Sequence, residues 1–126
     1  MKRVSPIAAA ILLAGAAAAH AADAEAGKTV FKRCAACHMA TEATNKVGPH
    51  LVGLVGRRAG AVEGYRYSAS LLELAAAGFT WDEPTLAAYL AKPKAVIPKG
   101  TMAFAGLAKP KDVEDVIAWL KAEPKP

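Results

Sequence analysis

Several things are scarce or missing in this chain of 126 residues. Only two cysteines occur, Cys34 and Cys37, separated by two alanines. A disulfide stabilises mainly through the size of the loop it closes, so this pair makes a poor structural staple and points to chemistry instead. No stretch alternates apolar and polar residues as a half-buried strand does, which leaves no βαβ setting for a thioredoxin-like use of Cys-x-x-Cys. A zinc site needs four ligands, and beyond Cys34, Cys37 and His38 only His50 or a carboxylate remains. The formal net charge is +5, and without residues 1–21 it is a modest +3, 14 Lys+Arg against 11 Asp+Glu, which argues against a nucleic-acid binder with a continuous basic stripe. Acidic residues vanish from Pro84 to Lys111, a span that holds Lys92, Lys94, Lys99, Lys109 and Lys111. That lack leaves a local positive face.

The length suits one domain. Lys2 and Arg3 precede an uncharged apolar run from Ile7 to Ala19, and Ala19-His20-Ala21 places small residues where a signal peptidase reads them. Residues 1–21 are therefore expected to be a cleaved export signal and 22–126 the mature domain, located in the periplasm. The competing reading is an uncleaved anchor, because Val4–Ala19 falls only slightly short of the roughly 20 residues that span a bilayer.

Asp23 is an N-cap residue type, and Val30, Phe31 and Cys34 follow with helical spacing. This predicts a first helix that leads into Cys-Ala-Ala-Cys-His. From Met39 to Gly64, six glycine or proline positions break any period (Gly48, Pro49, Gly53, Gly56, Gly60, Gly64), which predicts an irregular loop packed on something other than protein. A short helix is expected over Ser68–Ala77 with Gly78 as its stop. Asp82 caps another with Pro84 in its first turn, ending at Pro93. Lys94–Lys109 reads as loop. Pro110 opens a terminal helix whose Val113, Val116, Ile117 and Leu120 form one apolar stripe. The fold expected is all-α, three to four short helices with long Gly/Pro-rich connections. So thin a core is marginal on its own; a large apolar cofactor would complete it.

Cys-x-x-Cys-His is the attachment pattern of a c-type haem. Two thiols about one helical turn apart match the two vinyl groups of a porphyrin, and the adjacent imidazole of His38 reaches the iron. For the opposite axial position, Met39 follows His38 directly and cannot swing to the other face. Met102 sits in a Gly/Pro-containing loop, Pro98 to Gly106, that can present a side chain inward. His50 is the rival ligand, although it lies close to His38 in sequence.

These pieces, in the order GKTVFKRCAACH, KVGPHLVGLVGRRAG, GYRYSASL, FTWDEPTLAAYL, KPKAVIP, GTMAFAG and DVIAWLK, resemble the class I cytochromes c, in particular the cytochrome c2 and mitochondrial-like group. The resemblance implies one haem c held through Cys34 and Cys37, with His38 and Met102 as metal ligands. It implies that the Pro49 carbonyl accepts the proximal imidazole N–H, and that Arg57, Tyr67 and Trp81 bond or support the haem propionates. Tyr89 would touch the methionine sulfur and Phe104 would lie beside the exposed haem edge. Gly27 and Phe31 would form the N-terminal helix face that crosses the terminal helix near Trp119. Two departures stand out: His50 occupies a position where asparagine is usual, and Gly100 one where a propionate-bonding threonine is common.

An iron with both axial positions filled by protein has no open site for substrate, and a methionine ligand raises its potential. The function expected is single-electron shuttling between a bc1-type complex or dehydrogenase and a terminal oxidase, reaction centre or reductase, with no enzymatic activity. The lysine face would steer the protein to partners with acidic docking surfaces. The protein is expected to be a monomer with no nucleic-acid partner. Rival functions are a haem subunit of a periplasmic dehydrogenase, and a peroxidase or gas-binding haem protein should Met102 not ligate.

Overall fold

The structure, a computed structural model, describes residues 21–126. The expected signal segment and its possible role as an anchor lie outside the described residues, apart from Ala21. Among the described residues no helix is long and apolar enough to cross a membrane.

Among the described residues five helices form: α1 Ala24–Phe31, α2 Ala69–Ala76, α3 Glu83–Ala91, α4 Pro93–Val96 and α5 Pro110–Lys121. No strand forms among the described residues, and a single antiparallel bridge pairs Arg58 with Thr80. Each longer helix begins where its chemistry allows. The Asp23 carboxylate accepts the N–H groups of Glu25 at 2.9 Å and Ala26 at 3.2 Å, filling two of the donors that a helix start leaves open. Ser68 Oγ accepts from Leu71 N at 3.2 Å, and Asp82 Oδ1 from Thr85 N at 2.9 Å. Proline stands in the first turn of α3, α4 and α5, where its missing N–H costs nothing. Pro93 has a double effect: it ends α3 and opens the one-turn α4. α4, a helix beyond those expected, falls largely inside the stretch expected to be loop, because a proline that stops one helix also has the fixed φ that starts the next.

The terminal helices make the main packing unit. α1 buries Gly27, Val30 and Phe31, and α5 buries Val113, Asp115, Val116, Ile117, Trp119 and Leu120. They meet at Gly27, where a Cβ would run into the Asp115 carbonyl group and come 2.9 Å from Trp119 Cβ. One turn on, the rings of Phe31 and Trp119 lie 4.6 Å apart. Asp115, only 2% exposed, accepts Asp23 N–H at 2.8 Å and pairs with Lys111 Nζ at 2.5 Å. Those two bonds, the backbone one first, hold its carboxyl below the usual range.

α3 packs against α5 and α4. The middle helix α2 is different: it packs against no other helix and contains no buried residue, despite its leucines and alanines. Gly78, at φ +90°, ends it. The core runs from Val30 and Phe31 through Leu54, Trp81, Leu86 and Ile97 to Val116 and Leu120. Most of these same residues line a cleft that opens through the middle of the domain.

Candidate functional site

The cleft has a volume of about 280 Å³ and a mostly apolar wall. Residues from all parts of the described chain reach it: Cys34, Cys37 and His38 from the turn after α1, Pro49 and Arg57 from the glycine-rich loop, Tyr67 and Leu71 at the start of α2, Trp81 before α3, Tyr89 on α3, and Met102 and Phe104 from the loop before α5. Every haem-contact residue expected from the sequence therefore lies on one wall system. His50 and Met39 do not line it.

The Cys-Ala-Ala-Cys-His segment continues α1 as a series of turns. Cys34 N–H bonds Phe31 O at 2.8 Å, and both Cys37 and His38 return N–H bonds to Cys34 O, at 3.1 and 3.0 Å. This winding brings the two cysteines and the imidazole to one side of the cleft. No disulfide joins the two cysteines; Cys34 is half-buried and Cys37 exposed. Burial pushes the Cys34 thiol up, with Arg33 opposing, which keeps it protonated.

His38 Nδ1 lies 2.7 Å from the Pro49 carbonyl oxygen. That geometry assigns the proton to Nδ1 and leaves Nε2 with the lone pair a metal takes. Desolvation lowers the imidazole's pKa; the Pro49 bond opposes this, and the nearby Arg57 and Lys46 cations reinforce it. At neutral pH the ring is uncharged, as ligation requires. Gly48 lies flat against it: a Cβ there would collide with Cε1 and come 2.7 Å from Nδ1. The glycine is needed for close approach.

Also on the cleft wall, Tyr89 donates its hydroxyl proton to Met102 Sδ at 3.8 Å. Burial raises the Tyr89 pKa, so the phenol stays protonated and remains a donor. The Met102 loop is held at its ends by Ile97 and Leu107, each 2% exposed, and in its middle by Lys94 Nζ, which donates to the Gly100 carbonyl.

Arg57 fits the floor of the site. Its Nη1 donates to His50 O at 3.0 Å and Val52 O at 3.3 Å, while its buried Nε has no partner. Desolvation lowers its pKa, yet no acidic residue pairs with it among the described ion pairs. A half-buried guanidinium with an unused N–H calls for an anion. Tyr67 accepts Val62 N–H at 3.1 Å, which leaves its own hydroxyl proton free to donate. Trp81 is fixed by backbone bonds from Gly56 N to Trp81 O at 2.7 Å and from Trp81 N to Arg57 O at 2.8 Å.

An apolar slot, two thiols, a neutral imidazole, a thioether and an unsatisfied cation together match what a haem with its propionates presents. The residues fit the group.

Three positions escaped the sequence reading. Asn45 Oδ1 accepts His50 N–H at 3.0 Å and its Nδ2 donates to Glu63 O at 3.3 Å. Lys46 Nζ donates to Ala35 O at 2.7 Å, across the Cys-x-x-Cys turn. Tyr65 OH donates to Val47 O at 3.1 Å. All three tie one loop to another through backbone carbonyls or N–H groups, which carry no sequence signature.

The cytochrome c family profile matches residues 24–123. Cytochrome c2 iso-2 of Magnetospirillum molischianum is 50% identical over 100 residues, spanning 79% of this chain and 97% of that one. Cytochrome c-550 of Nitrobacter winogradskyi is 46% identical over 99 residues, 78% of this chain and 88% of that one. The solved structure of cytochrome cH from Methylobacterium extorquens superposes with a TM-score of 0.72 at 45% identity, over 79% of this chain and 97% of that chain.

Proposed function

We propose, because this chain belongs to the cytochrome c family and carries one covalently bound haem c, that it is a periplasmic single-electron carrier whose iron is ligated by His38 and Met102. The group supplies reversible Fe(III)/Fe(II) chemistry when bound. Everything else falls to the chain's own residues. Cys34 and Cys37 hold the group by thioether bonds. Pro49 and Gly48 set the His38 ring. Tyr89 restrains the Met102 sulfur and draws electron density from it. Arg57, with Tyr67 and Trp81 beside it, receives the propionates. The apolar wall, from Leu54 and Leu86 to Ile97, excludes water.

The observation that carries this reading is the pairing of two restrained donors on one cleft, His38 against Pro49 O and Met102 against Tyr89 OH. His38 and Met102 would together hold the iron, which would leave it to exchange electrons and not to bind a substrate. Lys92, Lys94, Lys99, Lys109 and Lys111 are all exposed. Lys111 is engaged with Asp115 and Lys94 with Gly100, so Lys92, Lys99 and Lys109 are the freer charges for steering toward an acidic surface on a bc1-type complex, dehydrogenase, oxidase, reaction centre or reductase. A monomer whose signal segment, residues 1–21, has been removed suits a shuttle between such partners.

The test is the visible spectrum of the oxidised and reduced protein together with its intact mass. The expected result is a mass for residues 22–126 plus one haem, a weak far-red sulfur-to-iron band in the ferric form, and no immediate reaction of the ferrous form with CO. A missing far-red band with rapid CO binding would remove Met102 as a ligand.

A further inference from the structure

We propose that Asn45 is a positioning residue for His38, acting through the peptide plane between Pro49 and His50. The two ends of that plane carry the two relevant bonds. Its carbonyl, Pro49 O, lies 2.7 Å from His38 Nδ1; its N–H, on His50, donates to Asn45 Oδ1 at 3.0 Å. Carbonyl and amide of one peptide unit are joined by resonance. A bond accepted from the N–H therefore draws electrons toward the carbonyl oxygen, and hydrogen bonds linked in a chain strengthen one another by roughly 10–30% each. Asn45 thus makes Pro49 O a better acceptor for the imidazole proton and stops the plane from turning.

The second arm of Asn45 makes this anchorage firm. Its Nδ2 donates to Glu63 O at 3.3 Å, tying the plane to the far side of the glycine-rich loop. The next carbonyl along, His50 O, is held by Arg57 Nη1 at 3.0 Å. The Pro49–His50 unit is fixed from both flanks, and neither bond to Asn45 reaches the cleft. Because a ligating histidine becomes a stronger donor as its other N–H is more strongly bonded, loss of the Asn45 acceptor weakens His38 as a ligand to Fe(III) and raises the reduction potential.

This inference rests on the reading that His38 ligates the haem iron. The experiment uses the holoprotein and two variants, following the reduction potential, the NMR resonance and exchange rate of the His38 Nδ1 proton in the reduced state, and the exchange of the His50 amide. In the wild type the His50 amide is protected. Asn45→Ala should raise the potential and quicken Nδ1–H exchange by about fivefold, the equivalent of one net hydrogen bond. Asn45→Asp keeps the acceptor, loses the Glu63 arm and adds a negative charge that by itself lowers the potential, so it is read by resonance and exchange alone; its Nδ1 resonance and His50 protection should stay nearer wild type than those of Asn45→Ala even where its melting temperature falls. If Asn45→Ala lowers stability alone and leaves the resonance, the exchange rate and the potential unmoved, Asn45 is only a strap between loops. An Asn45→Asp resonance matching that of the alanine variant overturns the role of the acceptor arm. An unprotected His50 amide in the wild type does the same without any variant. Absence of haem-shifted His38 imidazole resonances in the wild type is a distinct result, removing the ligation itself.

Discussion

Gly27→Ala tests the packing that closes the domain. One methyl group would enter the α1–α5 crossing 2.5 Å from the Asp115 carbonyl carbon and 2.9 Å from Trp119 Cβ. Ordinary contact needs about 3.4 Å or more, so the helices must part by roughly 1 Å. That overpacking costs about 1–3 kcal/mol. Parting also stretches the Asp23 N–H bond to Asp115, at 2.8 Å now, and a bond to a charged acceptor contributes about 1.5–3 kcal/mol. Against these stands the better helix propensity of alanine, about 1 kcal/mol. The net loss is on the order of 2–4 kcal/mol, or a fall of roughly 10–30 °C in melting temperature for a domain of this size. Guanidinium unfolding of the holoprotein, followed by tryptophan fluorescence and far-UV circular dichroism, measures it directly. A variant within about 0.5 kcal/mol of wild type would refute the claim that Gly27 is there for contact.

Four further outcomes are expected. Asp115 has a depressed folded-state pKa, so its contribution is complete above the unfolded value of about 4 and is lost as pH falls through the folded value; the gap in melting temperature between wild type and Asp115→Asn should close as pH is lowered from 7 to 2, and a constant gap would contradict the assignment. Gly48→Ala drives a methyl into the His38 ring; loss of the Pro49 bond and quickened cyanide binding to the ferric protein are expected, and wild-type binding kinetics would show that the loop yields instead. Tyr89→Phe removes the hydroxyl proton donated to Met102 Sδ, so the sulfur becomes a better donor to Fe(III) and the potential falls, with stability changed by about 1 kcal/mol at most; an unchanged or raised potential counts against that bond. The electron-transfer rate with an acidic partner should decline as ionic strength rises from 0.01 to about 0.1 M, where the Debye length is about 10 Å, and a flat profile would remove the lysine face from docking.

Local physics is written in residue type and spacing, and those elements were legible. Asp23 and Asp82 cap where their side chains predict, Ser68, expected as the first residue of its helix, is its N-cap, and the Val113, Val116, Ile117, Leu120 stripe is buried as its period requires. The Cys34, Cys37, His38 triplet announced its chemistry because the spacing is covalently constrained. α4 was not legible, since a four-residue turn has no period to detect. Asn45 was not legible either: an asparagine in a polar loop looks like any solvated residue until its two backbone partners, eighteen and five residues away, are brought beside it.

The sequence alone determined an all-α chain with a Cys-x-x-Cys-His attachment site and a short roster of ligand candidates, because each of these depends on neighbours within a turn or two. Only the tertiary structure decided which candidates share a cleft. His50 and Met102 were both possible on residue type; the fold turns His50 away, with its Nδ1 accepting from Val52 N at 3.3 Å, and puts Met102 on the wall beneath Tyr89. That choice depends on loop closure over tens of residues and on the packing of Ile97 and Leu107, quantities that no local pattern encodes. The same holds for α2, whose helix was legible but whose surroundings were not: it packs against no other helix, and Leu71 lies on the cleft wall.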